Sequence, residues 1–288
     1  MIFLSAFADE AGSTLKEQID ALKRNNISYL ELRSVDDVNV ADLTVEQAID
    51  IKSQLDDNGI KVWAIGSPLG KVDIDCDFTE YLKRIEHVCK LANIFGATKI
   101  RAFSFFNAYE KYEKVKEYLS KMVEVANSYG VKICHENEKE VYGDTKERVL
   151  ELMNDVTGLE FVYDPANYLQ VGESAQDTLD LFFDKTSYFH IKDVIKETGE
   201  LVPAGHGDGN IGGIIDRIEK DTVLTLEPHL KVFGAYANID NTEMKLKFNF
   251  SSNTESFDFA VSELEKILKN KGYSRCCVDG VYGWKKGV

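Results

Sequence analysis

Four short apolar runs in the second half of the chain each end at a side chain that can bind a metal ion. Because side chains alternate between the two faces of a β-strand, each run predicts one face that packs against helices and an opposite face that carries the polar residue at its C-terminal end. Four such ends on neighbouring strands would meet around one ion. The four candidate ligands are Glu136, Asp164, His190 and Glu227.

The donor set of three carboxylates and one imidazole indicates which ion this site would bind. Such ligands suit Mn²⁺ or Mg²⁺ and also accept Zn²⁺ or Co²⁺. No thiolate belongs to the set, which disfavours a structural zinc site. Three carboxylates over-neutralise a divalent cation, so the ion can still accept neutral substrate oxygens. We therefore predict one divalent metal ion that chelates a hydroxyl and a carbonyl oxygen of a small sugar-like substrate.

A carbonyl polarised in this way would make the neighbouring C–H acidic, which gives two of the ligands a catalytic role. One of Glu136 and Glu227 would remove the proton and the other would return one from the opposite face, through a metal-stabilised enediolate. Return to the same carbon is epimerisation, and return to the neighbouring carbon is an aldose–ketose isomerisation. Loss of a β-hydroxyl instead is dehydration. The residues alone leave all three reactions open.

Strand-like and helix-like segments alternate along the whole chain and would position these ligands. Strands are predicted over residues 2–7, 29–33, 61–67, 99–103, 132–136, 159–164, 188–192 and 222–227. Helices are predicted over residues 15–25, 44–57, 78–95, 109–129, 145–154, 175–184, 211–219 and 256–269. Eight strand–helix units without a linker predict one α/β domain over residues 1–288, a (β/α)8 TIM barrel. Residues 231–252 are predicted to form an excursion after strand eight.

The alternative to a barrel is an open, doubly wound sheet. That fold usually carries a GxGxxG phosphate-binding turn after its first strand, and residues 7–12 (Phe-Ala-Asp-Glu-Ala-Gly) do not match this motif. Active sites of barrels lie at the C-terminal ends of the strands, which is where all four candidate ligands occur. Both points favour the barrel.

Composition disfavours several classes of partner and location. The net charge of −15, from 49 acidic and 34 basic residues, argues against nucleic-acid binding because an acidic surface repels phosphate backbones. No apolar stretch approaches the ~20 residues that span a membrane, and the N-terminal segment lacks the basic start of a signal peptide. Five cysteines without a CxxC spacing indicate reduced thiols. We expect a cytoplasmic protein that acts on a small molecule and could form a homodimer.

Short motifs occur at the predicted strand ends in a characteristic order. They lie at residues 7–10 (FADE), 29–33 (YLELR), 66–68 (GSP), 135–137 (HEN), 164–167 (DPAN), 190–193 (HIKD), 205–208 (GHGD) and 226–227 (LE). In this order they resemble the xylose isomerase-like TIM-barrel superfamily, in its sugar phosphate isomerase/epimerase branch. The resemblance covers nearly the whole chain. It implies that Glu136, Asp164, His190 and Glu227 together bind one divalent cation.

Two positions depart from the ketose 3-epimerases of that superfamily. Those enzymes carry a histidine three residues after the metal-binding aspartate and an arginine six residues after the metal-binding histidine, and both groups handle substrate. The corresponding residues here are Asn167 and Lys196. His206 also stands where many relatives have glutamate. These differences argue against that specific activity.

Residues near several strand ends are candidates for contacts with substrate. They are Arg33, Ser67, Asn167, Lys192 and His206. Structural alternatives stand beside these roles. Arg33 could pair with Glu31 or Asp36, and Ser67 could belong to a simple turn. Lys192 could extend into solvent or form an ion pair, and His206 could stabilise its glycine-rich loop. His135 is predicted to face the helices.

Four functions are compatible with these features, and a metal-dependent sugar isomerase or epimerase leads them. The second is a lyase that dehydrates a keto-inositol or a dehydroshikimate-like acid. An apurinic endonuclease is disfavoured because such relatives bind three zinc ions through more histidines and need a basic groove, whereas this chain has five histidines and a charge of −15. A non-catalytic carbohydrate-binding barrel is disfavoured by the intact ligand quartet. Residues 276–288 are expected to cover the barrel bottom or to contact a partner.

Overall fold

Eight parallel strands form the central sheet. The structure is a computed structural model, and it describes residues 1–234 and 244–287. The strands are β1 Ile2–Ala6, β2 Tyr29–Leu32, β3 Lys61–Ile65, β4 Lys99–Ala102, β5 Lys132–Glu136, β6 Glu160–Tyr163, β7 Thr186–Ile191 and β8 Thr222–Leu226. They lie in the order β1-β8-β7-β6-β5-β4-β3-β2. Because β1 also contacts β2, the sheet curls into the predicted TIM barrel.

Helices connect the strands and pack on the outer face of the sheet. They are α1 Leu15–Arg24, α2 Val45–Asp57, α3 Phe78–Phe95, α4 Tyr112–Ser128, α5 Lys146–Asp155, α6 Ala175–Phe182, α7 Ile211–Arg217 and α8 Asn253–Asn270. Local sequence sets their ends: Thr14 and Thr44 each start a helix with a capping box, and Gly96 ends α3 at a φ of +72°. The predicted boundaries lie within three residues of the observed ones.

The two faces of each strand carry different residues, as the alternation predicts. One cluster fills the barrel interior: Ala64, Cys134, Val162, Tyr188 and Val223. The strand residues between these positions, such as Phe189 and Leu224, pack with helix residues in the main core. Asp164 and His190 lie two residues beyond members of the interior cluster, so they share the inner face at the C-terminal mouth of the barrel.

Several short elements were missing from the prediction, and two of them bear on the site and the barrel bottom. One is the short helix Pro165–Gln170, whose first turn is capped by the Asp164 side chain. Its six residues are too few to show a helical repeat. The other is a C-terminal hairpin of β9 Tyr273–Val278 and β10 Val281–Lys286.

The C-terminal hairpin bridges the seam between β1 and β2 at the bottom of the barrel. In β10, Trp284 pairs antiparallel with Ile2 of β1. On the other side, the Tyr282 backbone N–H donates to Ser28 Oγ, just before β2, over 3.0 Å. The hairpin therefore covers the barrel bottom, which is one of the two roles expected for residues 276–288.

The predicted excursion over residues 231–252 falls partly outside the described residues, which omit 235–243. In the described part, the Leu201 N–H donates to the Lys245 carbonyl over 2.8 Å, and Leu246 forms a parallel bridge with Leu201. Leu201 belongs to the small hairpin Asp193–Ile195 and Glu200–Val202. The segment after β8 thus returns beside the segment that follows β7.

The longest described helices are α3 and α8, with 18 residues each, and both carry charged side chains. In residues 1–234 and 244–287, no helix is long and apolar enough to cross a membrane. All five cysteines are free thiols, and two of them, Cys89 and Cys134, are buried.

We expect Trp284→Ala to lower the free energy of unfolding by about 3–5 kcal/mol, because it removes a buried indole from the seam between β1 and β2. Guanidinium titration followed by circular dichroism measures this change. Val278→Ala is the matched control, since Val278 lies in the same hairpin but is exposed. A Trp284→Ala protein as stable as the control would show that the hairpin does not hold the seam.

Candidate metal centre

The four predicted ligands meet at the C-terminal mouth of the barrel. One ligand atom from each of Glu136, Asp164, His190 and Glu227 lies within 4.8 Å of the others. All four residues are buried. These residues are far apart in sequence but close in space, because β5, β6, β7 and β8 are consecutive neighbours in the sheet.

Local structure fixes where each ligand points. Glu136 is the last residue of β5, and Glu227 directly follows β8. Asp164 caps the short helix by accepting from the Asn167 N–H over 3.0 Å. The Asn137 side chain spans β5 and β6, because its Oδ1 accepts from the Asp164 N–H and its Nδ2 donates to the Asp164 carbonyl. The Asp164 backbone is therefore fixed on both sides.

A second carboxylate orients the imidazole of His190. Its Nε2 lies 3.1 Å from Glu31 Oε2, and the Tyr188 hydroxyl donates to Glu31 Oε1 over 2.9 Å. Because a carboxylate only accepts hydrogen bonds, Nε2 carries a proton towards Glu31 and Nδ1 carries one towards the quartet. Burial opposes this charge, but Glu136 and Glu31 raise the pKa of His190 well above its usual range. Nδ1 lies 2.9 Å from Glu136 Oε1 and 3.3 Å from Glu227 Oε2. This carboxylate–histidine arrangement is typical of metal-binding histidines.

Arg33 anchors Glu227 and is itself enclosed by charged and aromatic groups. Its NH1 donates to Glu227 Oε1 over 3.0 Å. Its Nε and NH2 donate to both carboxylate oxygens of Asp9, and NH2 also contacts Glu10. The ring of Phe7 lies 4.2 Å from the guanidinium carbon. Arg33 therefore forms ion pairs, as its alternative role predicts, but its partners are Asp9, Glu10 and Glu227 and not the predicted Glu31 or Asp36.

A second arginine, Arg101 of β4, anchors Glu136 and was not among the predicted site residues. Its NH1 donates to Glu136 Oε2 over 2.8 Å, and its NH2 donates to the Gly66 carbonyl. The guanidinium carbon lies 4.5 Å from the centre of the Phe103 ring. The sequence did carry a signal, because an arginine between Ile100 and Ala102 must face the barrel interior when its neighbours face the helices.

Lys192 lies inside the site rather than in solvent. It is buried, and its Nζ is 2.9 Å from Asp164 Oδ2 and 3.7 Å from Glu227 Oε2. The ion-pair alternative for Lys192 is thus the one observed. The ammonium lies beside two of the four candidate ligands, where it is also within reach of a molecule bound to them.

Two buried oxygens test whether a cation fits the quartet. Asp164 Oδ2 and Glu227 Oε2 accept no aligned hydrogen bond, although the Lys192 ammonium is close to both. Buried carboxylate oxygens are costly unless a donor or a cation satisfies them. The quartet therefore offers hard oxygen atoms with lone pairs still available, which a divalent ion prefers. An ion bound there would replace the proton on His190 Nδ1.

The neighbouring charges separate the pKa values of the ligands. Burial would raise the pKa of Glu136, but His190 and Arg101 outweigh it and bring that pKa to about 2. Burial also opposes ionisation of Glu227, yet Lys192 and His190 keep its pKa well below the usual range. For Asp164, burial dominates over Lys192 and raises the pKa to about 7. Glu136 and Glu227 are therefore ionised at neutral pH.

A second group of metal-competent residues shares Glu227 with the quartet. His229 Nε2 lies 3.4 Å from Glu10 Oε1 and 3.4 Å from Glu227 Oε1. The same two oxygens already face the Arg33 guanidinium, at 3.2 and 3.0 Å. Because a guanidinium neutralises this group, we interpret it as part of the ion-pair network and not as a second metal site.

The other predicted residues differ in how close they come to the quartet. Asn167 joins it, since its Nδ2 donates to Glu136 Oε1 over 3.3 Å and to the Asn137 carbonyl over 2.9 Å. The Ser67 hydroxyl is used by the fold and donates to the Arg101 carbonyl over 2.6 Å. His206 lies on the glycine-rich loop, with Nε2 2.9 Å from Glu263 Oε2 of α8. The structure does not bring His206 into the quartet.

His135 faces the helices, as predicted. Its Nε2 lies 3.0 Å from Ser104 Oγ, and its ring stacks on Phe161. Burial lowers the pKa of His135 to about 4, so the ring is neutral. It is a packing residue behind the quartet.

The sequence itself identifies the family. Residues 19–243 match the family model described as xylose isomerase-like TIM barrel. This match spans well over half of the chain, and the chain belongs to that family. No curated protein matches the sequence significantly.

Solved structures with the same fold carry several different activities. The probable 3-DHS dehydratase AsbF of Bacillus anthracis is 18% identical over 94% of this chain and 100% of its own, with a TM-score of 0.71. IolI with a bound zinc atom is 15% identical over 93% and 98%, with a TM-score of 0.71. D-psicose 3-epimerase, solved in the presence of D-fructose, is 15% identical over 92% and 99%, with a TM-score of 0.70. At these identities the likeness establishes the fold alone.

We expect Glu31→Gln to weaken metal binding by about 10–100-fold, because it removes the carboxylate that orients His190 without removing a ligand. Isothermal titration of the metal-free protein with MnCl₂ measures this loss. Tyr188→Phe is the matched control, since it keeps the Glu31 carboxylate and removes only the hydroxyl that donates to it. Equal Mn²⁺ affinity in wild-type and Glu31→Gln proteins would rule out this role.

Proposed function

We propose that this protein is a divalent-metal-dependent isomerase or epimerase that acts on a sugar or a sugar-like polyol ketone. The observation that carries the proposal is the buried quartet, in which two ionised glutamates flank the imidazole that faces them both. Glu136 Oε1 and Glu227 Oε2 lie 2.9 and 3.3 Å from His190 Nδ1. Two carboxylates that reach one position from two different strands suit proton removal and proton return.

The proposed ligands are Glu136, Asp164, His190 and Glu227, with Mn²⁺ or Mg²⁺ as the expected ion and Zn²⁺ or Co²⁺ as alternatives. A divalent ion bound there supplies Lewis-acid polarisation of a substrate carbonyl. Membership of the xylose isomerase-like family and the zinc atom bound by IolI, a structure of the same fold, support the proposal of a metal site.

The two glutamates are kept ionised and are held in a direction suited to proton transfer. Each has one carboxylate oxygen bound by a buried arginine, Arg33 for Glu227 and Arg101 for Glu136. The other oxygen of each points to the quartet, where it can take a proton from a carbon next to the carbonyl. Because both arginines are buried and hydrogen-bonded to other groups of the protein, the direction of each carboxylate is set before substrate binds.

The remaining groups bind and orient the substrate in this proposal. Lys192 presents an ammonium among the ligands, and the Asn167 amide contacts Glu136. Lys192 can donate to hydroxyl or carbonyl oxygens of a polyol, which lack a charge of their own. Asn167 could donate to substrate only by releasing Glu136 or the Asn137 carbonyl. Burial of the site excludes bulk water, and this strengthens each of these interactions.

Dehydration of a keto-inositol or a dehydroshikimate-like acid is the second candidate, and two observations favour it. Elimination of a hydroxyl needs an acid to protonate the leaving group, and the Lys192 ammonium lies within the quartet. The Asn167 side chain is committed to Glu136 and to the Asn137 carbonyl. It stands where ketose 3-epimerases carry a substrate-handling histidine. A solved structure of this fold is also described as a probable 3-DHS dehydratase.

We expect Glu136→Gln and Glu227→Gln each to lower the rate of solvent-deuterium incorporation into substrate by at least about 100-fold, because a neutral amide cannot accept the proton. The assay uses Mn²⁺-loaded protein with a panel of ketoses, inososes and keto acids, and mass spectrometry detects the exchange. Glu160→Gln is the matched control, since Glu160 begins β6 and pairs with Lys99 at the opposite end of the barrel.

The mass of the product distinguishes the two candidate reactions. An unchanged mass identifies isomerisation or epimerisation, and loss of one water identifies dehydration. Wild-type exchange rates in either glutamate variant would refute the acid–base assignment, whichever product forms.

A further inference from the structure

The C-terminal hairpin leaves one edge of the large sheet unpaired. Strand β9 is the last strand of that sheet, and it pairs only with β10 among the residues that the structure describes. The hairpin lies at the bottom of the barrel, at the opposite end from the quartet. Cys277 and Val278 of β9 are exposed, and Val278 is 48% exposed although it is apolar. This edge is therefore open to another strand.

The register of the hairpin shows which backbone groups face the open edge. The chain turns through Asp279–Gly280, and the two residues that flank this turn pair with each other. Residues in that position of a two-residue hairpin loop exchange hydrogen bonds. At the other end of the hairpin, the Gly287 N–H donates to the Gly272 carbonyl over 3.0 Å, which follows the same alternation. The even-numbered residues of β9 therefore bond to β10. The odd-numbered residues, whose N–H and C=O groups point outwards, are Tyr273, Arg275 and Cys277.

Strand β9 lacks the features that usually protect such an edge. Edge strands are commonly blocked by proline, by lysine or by a β-bulge. The strand contains neither proline nor lysine, and its one charged residue is Arg275. Its register with β10 is regular over all six residues, so no bulge is present in it. A strand of this length can pair with a further strand along its free side.

The charges around the hairpin favour a second copy of the chain as the partner. The whole chain carries a net charge of −15, so two copies repel each other over most of their surface. Residues 273–287 instead contain three bases and one acid, namely Arg275, Lys285, Lys286 and Asp279. Two copies that meet at this hairpin therefore avoid placing acid against acid at the contact.

We propose that two copies of the chain associate by antiparallel pairing of their β9 strands, around a two-fold axis at Cys277. In this register the outward N–H and C=O groups of Cys277 bond to those of the same residue in the second copy. On either side of the axis, Arg275 lies opposite Asp279 of the partner subunit. The two hairpins form one continuous four-stranded sheet. The quartet lies at the other end of the barrel, so this inference does not rest on the proposed function.

Arg275 determines the register. An axis at Arg275 would set two guanidinium groups directly opposite each other, and like charges in that position are destabilising. Arg275 already contacts Glu265 of α8, but Glu265 is shared with Lys269, so positive charge remains at this edge. Asp279 of the partner subunit balances that charge. An axis at Cys276 would leave Arg275 opposite an uncharged residue.

The first test is the size of the particle in solution. Pairing of one strand edge buries less than the ~1,200 Å² of a standard interface, so we expect a dissociation constant on the order of 10–100 µM. Sedimentation velocity of the full chain from about 5 to about 500 µM follows the conversion of monomer into dimer. A monomer at every concentration overturns the proposal.

Cys277→Pro distinguishes pairing of the backbone from other contacts. Proline removes the N–H that bonds to the second copy, whereas the hairpin itself does not use this N–H. We expect the variant to stay monomeric at concentrations where the wild-type protein is a dimer, with an unchanged circular dichroism spectrum. Cys277→Ser is the matched control, because it keeps the N–H and is expected to dimerise. A folded Cys277→Pro protein that still dimerises overturns the proposal.

Asp279→Asn tests the charge pairs without altering the turn, because asparagine adopts the positive φ of +51° found at this position. The change removes both ion pairs across the axis, and we expect it to weaken association about 3- to 10-fold. Glu46→Gln, at an exposed position of α2, controls for the change in net charge. Association as strong in Asp279→Asn as in Glu46→Gln contradicts the pairing of Arg275 with Asp279.

The thiols report the register directly. Hydrogen-bonded residues of an antiparallel pair have Cα atoms about 5.5 Å apart, which is within the range of a disulfide. Mild oxidation with copper phenanthroline is therefore expected to join two copies through Cys277. The Cys276 thiol donates to the Gly283 carbonyl within its own hairpin over 3.4 Å. We expect Cys277→Ser to abolish the covalent dimer and Cys276→Ser to preserve it. The reverse result overturns the axis at Cys277.

Discussion

The burial of six carboxylates at one end of the barrel is the constraint on which the rest of the site depends. They are Asp9, Glu10, Glu31, Glu136, Asp164 and Glu227. Isolated charges in a protein interior cost several kcal/mol each, and the chain compensates these acids with two arginines, a lysine and a histidine that come from other strands. The compensation is incomplete within the protein's own side chains. A divalent ion in the quartet would bring the positive and negative charges close to balance. The same buried carboxylates that are unfavourable for stability are for this reason suitable for binding a metal.

The network of ion pairs also joins parts of the barrel that are distant in sequence. Arg33, which follows β2, reaches Asp9 after β1 and Glu227 after β8. Because β1 and β2 contact each other without a direct ladder among the described residues, this guanidinium ties the seam at the top of the barrel. The C-terminal hairpin ties it at the bottom. Site and closure therefore share residues, so a change to Arg33 affects both.

Much of the architecture could be predicted from the sequence, because periodicity and helix caps are local signals. The quartet could be predicted for the same reason: each ligand ends a short apolar run. The partners of these ligands could not. The contacts of Arg101 with Glu136 and of His190 with Glu31 form only when β2 to β7 are assembled around the barrel. The direction of the Asn167 amide likewise depends on the helix Pro165–Gln170, which is too short to be predicted from the sequence.

The role of His206 also could not be predicted from the sequence. A histidine in a glycine-rich loop after β7 suggested contact with substrate, yet its nearest charged partner is Glu263 of α8. The loop itself is organised by Asp193, whose carboxylate accepts from the backbone N–H groups of Gly205, Gly207 and Gly209. Such a turn uses its glycines to admit a close carboxylate, because a Cβ at Gly207 would lie 2.4 Å from Asp193 Oδ1.

The position of β10 beside β1 has a consequence for how the protein emerges during translation. The ribosome makes β1 long before it makes β10, residues 281–286, whose Trp284 pairs with Ile2 at the floor of the barrel. Until β10 leaves the ribosome exit tunnel, this end of β1 has an unpaired strand edge. Such edges attract other strands, so this polypeptide is expected to depend on chaperones that shield β1 until β10 has been made.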